Sequence, residues 1–250
     1  MEKCKNLKVI SKYGVGLNNI DFDACKKYGV EVLWTPGTNK LSVAELTVGF
    51  MIASIRNVFK GSYELKKGSW NKAGGSNLSG KTVGIVGIGN VGKEVVRILK
   101  PFNCKILVND IINLKEYSLE NNVEVVSKED IFKNSDIVTL HTSLNKETEN
   151  LINKKTLDLM KPSSYIINTS RGEVINEGDL IEALENKKIS GVALDVYREE
   201  PPKNKRLIGR SNVICTPHIG GNSEESVLVM GFSAIDNLKN FLEDGFKKRT

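Results

Sequence analysis

The sequence has few histidines, few aromatic residues and no paired cysteine motif. Only two histidines occur among 250 residues, and aromatic residues make up 6 %. The four cysteines lie far apart, with no C-x-x-C pair; they are Cys4, Cys25, Cys104 and Cys215. This spacing argues against a disulfide framework and predicts free thiols in a reducing, cytoplasmic environment, with no metal bound.

No apolar run is long enough for a targeting or membrane segment. Residues 1–5 lead into an ordinary strand, which predicts no signal peptide. The longest apolar stretch, residues 46–55, is too short to span a bilayer and is flanked by Glu45 and Arg56. The net charge of +6 comes from scattered lysines, and the basic cluster at 247–249 is interpreted as a solvated tail. We therefore predict neither a membrane nor a nucleic acid as a partner.

The composition and the order of the apolar segments indicate a globular α/β protein. Apolar residues make up 40 % and charged residues 26 % of the chain. Strands are expected at 7–11, 30–34, 105–109, 123–126, 136–140, 165–168, 190–194 and 212–216, and helices at 22–28, 43–59, 127–133, 153–160, 179–186 and 224–242. This alternation predicts a doubly wound parallel sheet.

The strongest single motif lies at residues 83–92. An apolar run leads into Gly87, Gly89 and Gly92, spaced G-x-G-x-x-G, and apolar residues then recur at helical spacing. These glycines permit a tight turn, a close approach of the backbone to a pyrophosphate, and close packing of the helix on the strand. Asp110 ends a second apolar run, where it can accept hydrogen bonds from both hydroxyls of an adenosine ribose. The motif predicts a Rossmann dinucleotide-binding unit; a βαβ unit with a sharp turn and a solvated Asp is the alternative.

The residues after Asp110 favour NAD over NADP. Ile111 and Ile112 follow, and no arginine stands beside the carboxylate. A 2′-phosphate would be repelled by the carboxylate and would find no guanidinium. The predicted cofactor is therefore NAD.

Residues 43–59 form the longest predicted apolar helix before this unit. Ser42 is expected to be its N-cap, with Glu45 three residues on completing a capping box. Apolar residues occur on almost every side, so the helix is expected to be buried. Burial inside the fold and burial against a second subunit both satisfy the pattern, and we favour the subunit interface of a homodimer.

Polar residues follow four of the predicted strands beyond the glycine turn. Thr142, Arg171, Asp195 and His218 stand at these strand ends, with Glu200 in the loop after Asp195. The carboxyl ends of parallel strands line the ligand crevice of such a sheet. We therefore expect these side chains to face a bound ligand.

Three of these side chains suit redox chemistry on a 2-hydroxy or 2-keto acid. Arg171 offers a bidentate fork for a carboxylate. His218 can exchange a proton with a carbonyl or alcohol oxygen, and Glu200 would stabilise its protonated form. Each also has an ordinary interpretation, as a surface ion pair or a turn residue. His141 is equally well explained as a core residue or as a ligand contact, and a Cys215–His218 pair is a weaker alternative.

Several stretches carry a family resemblance that extends over nearly the whole chain, in order. They are residues 8–21, Ser42-Val43-Ala44-Glu45-Leu46, the glycine motif, Leu140-His141-Thr142, Asn168-Thr169-Ser170-Arg171-Gly172, Ala193-Leu194-Asp195-Val196 and Thr216-Pro217-His218-Ile219-Gly220-Gly221. In these stretches the chain resembles the D-isomer-specific 2-hydroxyacid dehydrogenase family, near its D-3-phosphoglycerate dehydrogenase and 2-ketoacid reductase members. The resemblance implies an oxidoreductase that transfers a hydride between NAD(H) and a small 2-hydroxy or 2-keto acid.

The resemblance also implies roles for individual residues. His218 would be the catalytic acid/base, Glu200 its partner, and Arg171 the group that orients the keto acid. Glu199 is an alternative to Glu200, but Pro201 directly follows Glu200, as in the family. The implied substrate contacts are Val15, Gly16, Asn39, Arg171 and His218. The implied cofactor contacts are Gly87, Gly89, Asn90, Val91, Gly92, Asp110, His141, Thr142, Thr169, Arg171, Asp195, His218 and Gly220.

The resemblance further implies two domains. An NAD-binding domain over 39–223 would be inserted in a smaller, flavodoxin-like substrate domain made of 1–38 and 224–250. Family members usually carry roughly fifty to seventy residues before the point where this chain starts, so the substrate domain is expected to be incomplete at its N-terminus. Lys12 stands where phosphoglycerate enzymes often carry Arg, which argues against recognition of a phosphate. The rival interpretation is a non-catalytic NAD(H)-binding protein, corepressor-like, or a shortened pseudo-enzyme.

Overall fold

The computed structural model describes the backbone of residues 1–247 and the side chains of residues 1–243, so the side chains of the basic cluster at 247–249 lie outside the described residues. The chain divides into two compact units, residues 43–220 and residues 1–42 with 221–250. The strands are β1 Val9–Ser11, β2 Glu31–Leu33, β3 Thr82–Val86, β4 Lys105–Asn109, β5 Glu124–Val125, β6 Ile137–Leu140, β7 Tyr165–Asn168, β8 Gly191–Leu194 and β9 Val213–Cys215. The helices are α1 Phe22–Tyr28, α2 Lys40–Ile55, α3 Val58–Lys66, α4 Asn90–Leu99, α5 Lys115–Asn121, α6 Lys128–Asn134, α7 Lys154–Leu159, α8 Glu177–Glu185, α9 Lys205–Ile208 and α10 Glu224–Lys247, with single 3₁₀ turns at Lys100–Phe102 and Gly172–Val174.

A seven-stranded sheet forms the centre of the 43–220 unit. Its strand order is β5-β4-β3-β6-β7-β8-β9, and every neighbouring pair is parallel. The chain first adds strands on one side of β3 and then continues on the other side with β6. At such a switch point the connections leave in opposite directions and open a crevice for a ligand at the carboxyl ends. The predicted doubly wound parallel sheet is confirmed.

Both faces of this sheet are packed with apolar side chains. Ile106 and Val108 of β4 belong to one buried cluster and Leu107 to another, because successive strand residues point to opposite faces. Residues of α2 and α4 complete the first cluster, and residues of α6, α7 and α8 complete the second. Helices cover both faces, as in other parallel sheets, because both faces carry apolar side chains.

The smaller unit contains a two-stranded parallel sheet of β1 and β2. Helix α1 has the predicted bounds, because the Asp21 side chain accepts the Ala24 N–H at 2.9 Å and Gly29 ends the helix with a φ of 64°. The Ser11 hydroxyl donates to Ala234 O at 2.6 Å. This hydrogen bond joins β1 to α10, although the two elements lie at opposite ends of the sequence.

Helix α2 differs from the prediction at both ends. It runs over Lys40–Ile55 rather than 43–59, so Ser42 lies inside the helix and is not its N-cap. The helix begins earlier because its first N–H group already bonds to Gly37 O, at 3.1 Å. It ends earlier because Asn57 adopts a left-handed φ of 53°, after which α3 begins in a new direction.

Most apolar side chains of α2 are buried against the seven-stranded sheet. Ala44, Val48, Phe50, Met51 and Ile55 pack in the cluster on the first face of the sheet. These side chains are covered without a second subunit, whereas Leu41 and Ile52 of the same helix are 45 % and 37 % exposed. The predicted subunit interface at this helix therefore stays a prediction. Among the described residues no single helix has the length and apolar content of a membrane span; α2 and α3 have both only when taken together, with a bend of 60° between them.

Candidate active site

The glycine turn lies between the carboxyl ends of two neighbouring strands. The Gly87 N–H donates to Asn109 O at 2.9 Å, and the His141 N–H donates to Val86 O at 2.8 Å. Gly87 has a φ of 97°. A Cβ at this position would lie 2.6 Å from His141 O. Both the backbone conformation and the close packing therefore require glycine here.

Gly92 brings helix α4 against the same turn. A Cβ on Gly92 would lie 2.1 Å from Gly87 O, so a larger residue would push the helix away. Gly89 occupies the N-cap and offers no side chain to the first N–H groups, and the space around its Cβ position is open. Asn90 and Val91 form the first turn of α4. The N–H groups of this turn and the positive end of the helix dipole suit a pyrophosphate.

Asp110 and Thr142 supply polar groups suited to a nucleotide. The Asp110 carboxylate accepts the N–H groups of Ile88 at 2.5 Å and Ile111 at 2.6 Å, which hold it beside the turn. Its oxygens keep further acceptor capacity for ribose hydroxyls. The Thr142 hydroxyl is buried and finds no hydrogen-bond partner among the described residues. Because a bound ligand can satisfy such a group, these residues fit NAD.

His141 carries a neutral ring. Burial lowers the pKa of its imidazole to about 3. Its Nε2 lies 3.0 Å from Thr139 Oγ1. A ring that stays neutral at physiological pH cannot be the acid that protonates a substrate. The His141 side chain is partly buried, so both interpretations, core residue and ligand contact, stay open. Its contact with the cofactor remains a prediction.

His218 and Glu200 are in direct contact. His218 Nδ1 lies 2.8 Å from Glu200 Oε2, although the two residues follow different strands, β9 and β8. The second carboxylate oxygen of Glu200 accepts the Tyr197 N–H at 3.1 Å. Glu199 forms an ion pair with Lys203 instead. The geometry therefore selects Glu200, rather than Glu199, as the partner of His218.

Asp195 holds the segment that carries His218. Its side chain is 1 % exposed, and its carboxylate accepts hydrogen bonds from Thr216 Oγ1 at 2.5 Å, the Ile219 N–H at 2.8 Å and the Gly220 N–H at 2.7 Å. His218 lies between these donors with a left-handed φ of 55°. A residue other than glycine keeps that conformation only where its surroundings impose it. The contacts of Asp195 and Gly220 with the cofactor are not tested by this geometry and remain predictions.

Arg171 stands on the turn after β7. One of its guanidinium N–H groups donates to Ser170 O at 2.6 Å. The hydroxyl of buried Thr169 lies 2.9 Å from Thr47 Oγ1, which ties the turn to α2. Strands β7, β8 and β9 are neighbours, so this turn emerges at the same edge of the sheet as the histidine–carboxylate pair.

Cys215 does not act with His218. Burial raises the pKa of the Cys215 thiol, which keeps it protonated and poorly nucleophilic. His218 Nδ1 is engaged by Glu200 instead. All four cysteines are free thiols. No cluster of three or more His, Cys, Asp or Glu side chains that could hold a metal ion occurs in the described part of the chain.

The remaining predicted substrate contacts lie in the smaller unit. Val15 and Gly16 follow β1, Asn39 directly precedes α2, and all three are partly buried. The Asn39 side chain fills the space beside Gly221, since its Nδ2 lies 2.5 Å from where a Cβ of that glycine would stand. Whether these residues touch a substrate remains a prediction.

Three residues that organise the site were not predicted. Thr47 holds the turn of Arg171, as described above. The Tyr197 hydroxyl donates to Thr216 O at 2.9 Å, and the fully buried Asn168 bonds to Arg171 O at 2.9 Å. Asn168 and Tyr197 stand within or beside the motifs of the strand ends, where polar residues could have been examined. Thr47 stands in an apolar helix and gave no sequence signal.

The switch point, the glycine turn and Asp110 together define a dinucleotide-binding protein of Rossmann topology. A family model described as "D-isomer specific 2-hydroxyacid dehydrogenase, NAD binding domain" matches residues 48–220. The chain therefore belongs to the D-isomer specific 2-hydroxyacid dehydrogenase family, as its motifs predicted. The match also confirms NAD as the predicted cofactor.

Individual relatives are similar over most of this chain. D-3-phosphoglycerate dehydrogenase of Methanocaldococcus jannaschii is 39 % identical over 245 residues, which cover 97 % of this chain and 47 % of that protein. Hydroxypyruvate reductase of Thermotoga maritima is 38 % identical over 243 residues, which cover 95 % of this chain and 78 % of that protein. The crystal structure of a glyoxylate reductase from Paecilomyes thermophila has a TM-score of 0.89 at 32 % identity, covering 96 % of this chain and 74 % of that one. This chain thus spans about half the length of the phosphoglycerate dehydrogenase it matches.

We expect Gly89→Ala to weaken NADH binding without loss of stability. The methyl group has open space in the protein, but it would stand where the backbone must approach the pyrophosphate, so the Kd should rise about tenfold or more. Fluorescence titration and thermal unfolding measure the two quantities. Gly49→Ala, also in open space but within α2, is the control and should bind NADH normally. Equal binding by the Gly89→Ala variant and the wild type would contradict this placement of the pyrophosphate.

Acidification should destabilise the protein partly through His141. The folded imidazole stays neutral down to about pH 3, whereas the unfolded one takes up a proton near pH 6.5. The neutral His141 imidazole therefore adds fully to the free energy of unfolding above pH 6.5, and this contribution is lost as the pH falls toward 3. The free energy of unfolding, measured with urea between pH 3 and pH 7, should depend less steeply on pH for His141→Gln than for the wild type. Identical slopes would show that burial does not depress the pKa of His141.

Proposed function

We propose that the protein is an NAD-dependent D-2-hydroxyacid dehydrogenase, which interconverts a small 2-hydroxy acid and its 2-keto acid. The observation that carries the proposal is the 2.8 Å contact between His218 and Glu200, at the sheet edge where Arg171 also emerges. A histidine held by a carboxylate can carry a proton, and an arginine can clamp a carboxylate. Redox chemistry on a 2-keto acid needs both groups beside a nicotinamide.

Each side chain has a distinct task in this proposal. NAD(H), when bound, supplies or accepts the hydride. Arg171 binds the substrate carboxylate through parallel N–H···O bonds and so orients the adjacent carbonyl. His218 passes a proton to or from the carbonyl oxygen through Nε2, because its Nδ1 is engaged by Glu200. Glu200 fixes the tautomer and the orientation of the imidazole.

We assign substrate binding to the smaller unit as well, with the proposed domains at 1–38 plus 224–250 and at 39–223. Main-chain N–H groups at Val15 and Gly16 and the amide of Asn39 are suited to a carboxylate. Lys12 donates to Tyr13 O at 2.6 Å, and this local engagement, with no arginine in its place, supports an unphosphorylated acid as the substrate. The hydroxypyruvate and glyoxylate reductases named above act, by their names, on such acids.

Glu200→Gln and Glu199→Gln form a matched pair that tests the activity. The amide at 200 removes the charge that supports proton transfer by His218, so kcat for NADH-dependent reduction of 2-keto acids should fall about 100-fold or more. Glu199 is engaged by Lys203, and its variant should keep the wild-type rate. NADH oxidation followed at 340 nm with a panel of 2-keto acids provides the rates.

Two outcomes would contradict the proposal. If no 2-keto acid oxidises NADH although the protein binds it, the non-catalytic NAD(H)-binding interpretation is correct. If both glutamate variants keep the wild-type kcat, the histidine–carboxylate pair does not carry the proton. NADH affinity, measured by fluorescence for every variant, shows that each retains its cofactor site.

We also propose a homodimer formed through α3 and the segment after it. Large apolar side chains along this stretch are each about half exposed or more; they are Val58 (51 %), Phe59 (51 %), Tyr63 (53 %), Leu65 (55 %) and Trp70 (76 %). Exposed apolar side chains in such proximity are typical of an interface. Val58 and Phe59 also lie in the helix predicted at 43–59, so this proposed contact includes the end of the helix for which a subunit interface was predicted.

We further propose that the protein is cytoplasmic. All four cysteines are free thiols, which is typical of proteins in a reducing compartment.

Charge introduced into the stretch formed by α3 and the segment after it should separate the subunits. Tyr63→Glu and Trp70→Glu would each bury a carboxylate in the dimer contact, so both variants should sediment as monomers in analytical ultracentrifugation. Leu119→Glu is the control, because Leu119 is 78 % exposed on α5, outside this stretch. A monomeric wild type, or a dimer that survives both substitutions, would exclude this interface.

A further inference from the structure

The buried amide of Asn168 organises the turn that carries Arg171. Asn168 is the last residue of β7 and is 0 % exposed. Its Oδ1 accepts hydrogen bonds from the N–H group of Ser170 at 3.1 Å and from the Ser170 hydroxyl at 2.9 Å. Its Nδ2 donates to Arg171 O at 2.9 Å. These hydrogen bonds of the side chain therefore fall inside the turn between the strand and Arg171.

The same hydrogen bonds restrain the Arg171 guanidinium in two ways. Asn168 fixes Ser170, and the carbonyl of Ser170 is the group that accepts the Arg171 Nη1–H at 2.6 Å. Asn168 also fixes the carbonyl of Arg171 itself. An arginine side chain has many rotamers in solution. Restraint of the main chain on both sides of its Cα, together with a fixed acceptor for one N–H, limits the directions in which the guanidinium can point.

The chemistry of this position requires an amide. The preceding residues Ile166 and Ile167 are fully buried and apolar, so a buried polar side chain directly after them is costly unless its hydrogen bonds are satisfied. Asparagine offers an acceptor and a donor on one short side chain, whereas an ionised aspartate offers only acceptors and leucine offers neither. Only the amide can therefore hold both Ser170 and the carbonyl of Arg171.

We propose that Asn168 is a positioning residue that directs the Arg171 guanidinium toward the substrate carboxylate. The inference rests on the proposed function, in which Arg171 binds that carboxylate. A clamp of this kind acts on the bound substrate and on the transition state alike. Displacement of the Arg171 guanidinium should therefore raise the KM for the keto acid more than it lowers kcat.

Asn168→Asp tests the inference with almost no change of shape. The variant keeps the acceptor for Ser170 but loses the donor to Arg171 O. The KM for the 2-keto acid should rise about tenfold or more, while kcat changes less and the Kd of NADH does not change. If Asn168 acts through Arg171, the same substitution made in an Arg171→Lys background should add little to the effect of Arg171→Lys alone.

Asn212→Asp is the matched control for a purely structural effect. The Asn212 Nδ2 also donates to a main-chain carbonyl, that of Ser190 at 3.1 Å, but at the opposite end of the sheet. This variant should lose thermal stability and keep the wild-type KM. Should Asn168→Asp fail to fold, Ser170→Ala removes only the hydroxyl bond to Asn168 and should raise the KM by about threefold.

A readout without turnover keeps this inference separate from the proposed activity. The side-chain Nε–H resonance of Arg171 can be identified by its absence in the ¹H–¹⁵N spectrum of Arg171→Lys. It should move in Asn168→Asp, or in Ser170→Ala, and stay in place in Asn212→Asp, whether or not any keto acid is reduced. An unmoved Arg171 resonance in a folded Asn168→Asp variant would overturn the inference. So would a rise in KM that is equally large in the Arg171→Lys background.

Discussion

The buried carboxylate of Asp195 is the contact on which the rest of the candidate site depends. Removing a carboxylate from water is costly, and here three donors from the segment 216–220 offset that cost. These donors stand on both sides of His218 and hold it at a φ of 55°. In that conformation the imidazole reaches Glu200. Without the carboxylate, the segment would lose both its anchor and the reason for its strained backbone.

The parallel sheet supplies the frame in which this contact works. All seven strands run in the same direction, so their carboxyl ends form one edge. The glycine turn stands at the switch point between β3 and β6, and Arg171, Glu200 and His218 follow β7, β8 and β9. Cofactor groups and candidate proton-transfer groups therefore occupy the same edge of the sheet, within the 43–220 unit. Thr47, Asn168 and Tyr197 then fix the turns locally through hydrogen bonds to their main-chain and hydroxyl groups.

The sequence predicted elements whose ends carry local signals. Helix α1 and strand β7 have their predicted bounds, because capping residues and a short apolar run mark them. Helix α5 was not predicted because it is mostly polar and none of its side chains is buried. The start of α3 was predicted as the end of the helix at 43–59, because the left-handed turn at Asn57 gave no signal in the sequence. The site residues were predicted as types at strand ends, but contacts across strands depend on register. The family resemblance already favoured Glu200 over Glu199, and the structure adds the contact with His218. The burial that lowers the pKa of His141 and the hydrogen bond from Asn168 to Arg171 O are visible only in the structure.

The central claim is that this edge of the sheet reduces a 2-keto acid to a D-2-hydroxy acid by hydride transfer. The most direct measurement uses NADH deuterated at both C4 positions, with mass spectrometry and chiral chromatography of the products formed from a panel of 2-keto acids. The account predicts a D-2-hydroxy acid that carries a single deuterium at C2. An unlabelled product, a product of L configuration, or no product while NADH remains bound would contradict it.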